Sequence, residues 1–125
     1  MNKWFMFLLA TFSLTPLLLA PFASAEAGEK AKDNYRVYCI QCHGMQGDGM
    51  GLNIRDMSVQ PRDHTDVKSM ASRTDTELFK VIKEGGVAIN KSSLMPPWGD
   101  TLSDDEIHDL VQYLRTLCKC KGANG

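Results

Sequence analysis

Cys39-Ile40-Gln41-Cys42-His43 constrains this chain more than any other stretch of it. Two thiols three positions apart, with a histidine directly after the second, form the attachment pattern for c-type haem. The spacing has a mechanical reason. Cysteines separated by two residues both reach the vinyl groups on one edge of a porphyrin and form thioethers with them. The next residue is then carried under the ring, where an imidazole nitrogen binds iron. The segment assigns Cys39 and Cys42 to covalent attachment and His43 to the proximal side of the metal. Such a chain has to fold around its cofactor.

The N-terminus has the build of a secretory leader. Lys3 supplies a positive start, an apolar run follows from Trp4 to about Leu19, and Ala23-Ser24-Ala25 precedes a change to charged sequence at Glu26. Cleavage is expected after Ala25, giving a signal peptide over 1–25, one domain over 26–125, and a periplasmic location. A run of roughly 20 apolar residues would also suffice as a membrane anchor. Pro16, Pro21 and the Ala-x-Ala site favour cleavage, so membrane contact is expected only if the leader stays. No cysteine sits at the cut to accept lipid.

A domain of this size buries a limited apolar core. A covalently held haem would add a large apolar surface, and without it the polypeptide should fold poorly. Of 14 Lys+Arg and 15 Asp+Glu, only Lys3 lies in the leader. The balance is slightly acidic, which excludes the basic excess of a nucleic-acid-binding domain and argues against strong long-range steering of partners.

The remainder reads as all-α. Ala31, Tyr35, Tyr38, Cys39 and Cys42 recur at helical spacing and predict a first helix over about 29–41. Thr74 and Glu77 form a capping box ahead of Leu78, Phe79, Val81 and Ile82, and Gly85-Gly86 ends that helix, giving 75–84. A short turn over 66–71 is a further candidate. The last helix starts at the Ser103/Glu106 capping box and carries a stripe of Ile107, Leu110, Val111, Leu114 and Leu117. Two long loops, 44–63 and 85–102, are left to wrap the two faces of the haem.

A proximal histidine usually donates its other ring N–H to a carbonyl, and Pro61 is the candidate acceptor. Gly44, Gly47, Gly49 and Gly51 suit tight positive-φ turns and close approach to the ring. For the sixth position, Met95 stands out in Ser93-Leu94-Met95-Pro96-Pro97-Trp98-Gly99. Two prolines stiffen that strap, which can hold a thioether over the open face. Met45, Met50, Met57 and Met70 lack such a setting. His64 and His108 are rival ligands, but His64 lies in a loop and His108 on the polar side of the last helix, so a surface role is expected for both.

These residues resemble a small class I cytochrome c, the mono-haem type with His/Met ligation. The likeness rests on Ala31-x3-Tyr35-x3-Cys39, on the Cys-x-x-Cys-His-Gly segment, on the Met95-Pro96 strap and on Leu110-Val111-x-Tyr113-Leu114. It implies a cytochrome c fold of three to four helices around one covalently bound haem, with the N- and C-terminal helices crossing. Ala31 and Tyr35 would then pack on Leu110 and Tyr113. Alanine replaces the family's usual glycine at position 31, which implies a slightly wider crossing. Met-Pro-Pro-Trp-Gly and Ser-Asp-Asp-Glu are similar to the bacterial branch that includes cytochrome domains of terminal oxidases.

The implied function is one-electron transfer through haem iron cycling between ferrous and ferric states, without catalysis. Donor and acceptor proteins would be met by transient contact. Alternatives are a haem enzyme or gas sensor with an open sixth position, or a cytochrome subunit of a larger redox complex. A four-thiolate zinc site on Cys39, Cys42, Cys118 and Cys120 is a haem-free alternative, and a thioredoxin-like pair would need a βαβ pattern that is absent. Cys118 and Cys120 are foreign to the family pattern. They leave open an internal disulfide closing a small ring, pairing between chains, or idle thiols in a tail.

Overall fold

The computed structural model describes residues 22–123. The leader expectation falls on 1–25, most of which lies outside the described residues. Five α-helical segments follow one another: α1 (Phe22–Tyr38), α2 (Ile40–His43), α3 (Val67–Ala71), α4 (Asp75–Glu84) and α5 (Asp104–Cys118). Short 3-10 turns occupy Leu52–Asp56 and Gly86–Ile89, so neither long loop is without structure. No strand occurs among the described residues, as the all-α expectation requires, and no helix among them is long and apolar enough to cross a membrane.

The helix signals act where the sequence puts them. Thr74 and Ser103 each accept from the backbone N–H three residues on, and Glu77 and Glu106 reach back to complete both boxes. The acidic first turn of α5, Asp104 to Glu106, meets the positive end of its dipole. α4 stops at Gly85, whose φ of +82° suits glycine. The first helix differs from expectation. It begins earlier, at Phe22, and breaks at Cys39, where φ widens to −113°. The His43 N–H then bonds the Cys39 carbonyl at 2.9 Å, so the attachment segment turns separately on α2.

α1 packs on α5. Ala31 and Tyr35 are buried on the inner face of α1, and the Tyr35 ring lies 5.3 Å from that of Tyr113. Lys30 pairs with Glu106 at 3.2 Å at the start of the crossing. Ile107, Leu110, Val111 and Leu114 are buried as the stripe requires, joined by Leu78 and Ile82 of α4 and by Met70 of α3. Leu117 is only half-buried, whereas Arg115 and Cys118 share the inner face. Cys118 and Cys120 form an internal disulfide.

Candidate haem site

The helices and loops enclose a cavity of about 760 Å³, within the range of cofactor pockets. Cys39, Cys42, His43 and Met95 all line it, and Tyr38, Trp98 and Leu110 are among its apolar walls. The four residues singled out from the sequence thus meet at one place.

The proximal side is held by the loop after the attachment segment. His43 Nδ1 donates to the Arg62 carbonyl at 3.0 Å. This leaves Nε2 as the unprotonated nitrogen, able to give its lone pair to a metal. Burial holds the His43 pKa down, partly countered by the Arg62 bond, so the ring is neutral as ligation requires. The acceptor is one residue beyond the expected Pro61. The Pro61 carbonyl is turned against Gly49, where a Cβ would sit 2.9 Å from it. Gly44, Gly47 and Gly49 adopt φ near +80°, but Gly51 has φ −71°. The demand at Gly51 is space: an added Cβ would press on the backbone of Gln41 and Cys42.

The opposite strap is tied through its own backbone to α4 and to the 3-10 turn after it. Gly86 N–H bonds the Met95 carbonyl at 2.9 Å, and Trp98 N–H bonds the Ile82 carbonyl at 3.0 Å. The Trp98 ring packs 5.0 Å from Tyr38, and Met95 packs against the core. Met57, which has no comparable strap, also lines the cavity. Met70 is wholly buried in the core, and Met45 and Met50 are exposed.

The two other histidines part company. His108 is exposed on α5, its ring 4.4 Å from that of Phe79, and it does not line the cavity. His64 is no surface residue. Only 7 % of it is exposed, its ring stacks on His43 at 4.1 Å and 18°, and its Nδ1 lies 3.0 Å from the Tyr35 hydroxyl. A ring lying flat on His43 is on the same side of the cavity as His43, so His64 is not placed to hold an iron from the opposite side. Nothing in the local sequence marks His64 as buried; the Gly47 carbonyl, far away in the chain, draws its N–H in.

The haem-free alternatives do not fit these residues. A four-thiolate zinc site would need all four cysteines free. Cys118 and Cys120 are spent in their disulfide. Among the described residues no group of three or more His, Cys, Asp or Glu is placed to hold a metal. A large, mostly apolar cavity with two free thiols, a neutral imidazole and a thioether on its walls suits an iron porphyrin. Arg62, Arg73 and Lys91, also at its edge, suit the porphyrin's carboxylates.

Comparison with known proteins agrees. Residues 26–114 match the family described as cytochrome c oxidase, cbb3-type, subunit III. Cytochrome c-552 of Nitrosomonas europaea is 29% identical over 109 residues, covering 87% of this chain and 94% of the relative. A chain of the Kuenenia stuttgartiensis reducing HAO-like protein complex Kustc0457/Kustc0458 superposes with a TM-score of 0.58 at 30% identity. The match covers 71% of this chain but only 41% of that one. The KustC0563 c-type cytochrome shares the fold, with a TM-score of 0.57 at 24% identity over 70% of this chain and 95% of its own. The chain belongs to the cbb3-type subunit III family of cytochromes c, and is a small c-type cytochrome carrying covalently bound haem c.

Proposed function

We propose that this chain is a one-electron carrier rather than an enzyme, exported to the periplasm as residues 26–125 after loss of its leader. Cys39 and Cys42 would form the thioethers, and His43 and Met95 would hold the iron. The observation that carries the reading is that His43 and Met95 line one cavity together with both thiols.

When bound, haem supplies an iron that accepts and releases one electron. The chain's residues do the rest. The Nδ1–H bond to Arg62 orients His43 and strengthens its lone pair. The soft Met95 thioether would favour the ferrous form and raise the potential. The tied strap and the apolar walls would keep water and other ligands away from the iron. Partner proteins would meet the haem edge beside the attachment cysteines, in transient contacts of the kind that bury under ~1,200 Å².

Likeness to a chain of a redox complex supports a second form of the reading, in which the domain serves as a subunit. Co-purification at low salt separates the two.

The test is spectroscopic. The ferric protein should show the weak near-infrared sulfur-to-iron band, and the ferrous protein should bind carbon monoxide poorly. Met95→Ala should abolish the band, lower the potential and open the site to carbon monoxide. An unchanged spectrum and midpoint in that variant would sink the assignment.

A further inference from the structure

We infer that His64 and Tyr35 form a positioning pair that fixes the plane of the proximal imidazole, linking the α1–α5 crossing to the iron ligand. The inference rests on His43 being the proximal ligand.

One hydrogen bond does not fix a ring. The Arg62 carbonyl anchors His43 at Nδ1 and leaves the imidazole free to pivot about that contact. The missing constraint is a flat neighbour, and His64 supplies it at 4.1 Å and 18° from parallel. His64 is itself locked. Its backbone N–H bonds the Gly47 carbonyl, and its Nδ1 meets the Tyr35 hydroxyl at 3.0 Å. Tyr35 is 1 % exposed and burial keeps its phenol protonated, so the bond holds with either His64 tautomer, the hydroxyl donating to a bare Nδ1 or accepting from an Nδ1–H.

The pair connects the fold to the site. Tyr35 projects from α1 and packs on Tyr113 of α5. A Cβ on Gly47 would meet Tyr35, His64 and Leu117 within 3.4 Å, so the loop closes over the pair with no slack. A shift in the helix crossing would thus reach His43 through Tyr35 and His64. Partners of a metal-bound histidine that fix its orientation tune the metal. Here the tuning element is a stacked ring.

Proton NMR of the ferric holoprotein tests this, because the order and spread of the haem methyl resonances follow the plane of the axial imidazole. His64→Ala should reorder those resonances and move the midpoint while the visible spectrum stays low-spin. His64→Phe keeps a flat ring and should restore the wild-type pattern. Tyr35→Phe should move the pattern the same way as His64→Ala, by less. A wild-type pattern in His64→Ala overturns the inference, as does a His64→Phe pattern displaced as far as that of His64→Ala. If His64→Ala yields no holoprotein, an unchanged pattern in Tyr35→Phe overturns it. Hyperfine-shifted imidazole protons in the wild type establish His43 ligation separately. Their absence would remove that reading and the positioning role with it.

Discussion

Replacing Arg115 should harm the fold far more than a surface cation's removal would. The residue lies on the inner face of α5 with 9 % of its surface exposed. Nη1 donates to the Met70 carbonyl at 2.8 Å, Nη2 to the Arg73 carbonyl at 2.7 Å, and Nε to Asp75 at 2.8 Å. One guanidinium thereby fastens the α3–α4 corner to the last helix. Arg115→Met keeps most of the packed stem and removes only the donors. A hydrogen bond from a charged donor contributes roughly 1.5–3 kcal/mol. The two carbonyl bonds belong at the low end, because the Arg73 N–H still serves the Met70 carbonyl and the Ala123 N–H that of Arg73. Asp75 is half-exposed, so its pairing adds about 0–1 kcal/mol. The expected loss is about 3 kcal/mol, close to a hundredfold in the folding equilibrium. In a domain of this size that lowers Tm by roughly 12–24 °C. Arg115→Lys, which lacks the fork, should recover only part of it. Guanidinium and thermal melts of the holoprotein, followed by far-ultraviolet circular dichroism and haem absorbance, measure both. A loss under about 1 kcal/mol for Arg115→Met would refute the clamp.

Two further changes test the caps and the attachment loop. The Ser103 backbone N–H, then Lys30 and the Ser103 hydroxyl, hold the Glu106 carboxyl at about 2 against an ordinary 4.5. Its stabilisation is therefore complete above pH 4.5 and lost as pH falls through about 2. Ser103→Ala should cost about 1 kcal/mol at neutral pH and flatten the pH dependence of stability in that window, read from denaturant melts at stepped pH; an unaltered slope would count against the cap. Gly51→Ala has an ordinary φ but no room beside Gln41 and Cys42. It should destabilise by about 1–3 kcal/mol and lower the fraction of chains carrying haem, which intact-protein mass spectrometry reports; wild-type loading would show that the loop yields.

What could be read in the sequence was local. The assignments of Cys39, Cys42 and His43 rest on their spacing over five residues, and both capping boxes span four residues, so each signal is whole within a turn or so of chain. The stripe on α5 is nearly as local, and it carried a clue left unused. Arg115 stands four residues after Val111 and three before Cys118, on the buried face by the same period that placed Leu114 there. A long cation in that register asks for internal acceptors, but the sequence does not say that Met70 and Arg73 provide them.

The remaining details depend on contacts between distant residues. Arg62 rather than Pro61 accepts from His43 because the Pro61 carbonyl faces Gly49, and His64 is buried because the Gly47 carbonyl and Tyr35 hold it. No period or short motif encodes either pairing. The two kinds of information divide by role. Attachment and the first ligand have to be local, since both thioethers would reach one porphyrin edge while the next residue's nitrogen reaches the iron, whereas Met95 comes from far along the chain. Ligand orientation need not be, and here it is assigned to groups from α1 and from the loop beyond Gly44. A homologue could therefore keep Cys-x-x-Cys-His unchanged and still differ in potential, if the residues aligned with Tyr35 and His64 changed. Local motifs identify the cofactor, while its tuning has to be sought in residues that meet only after folding.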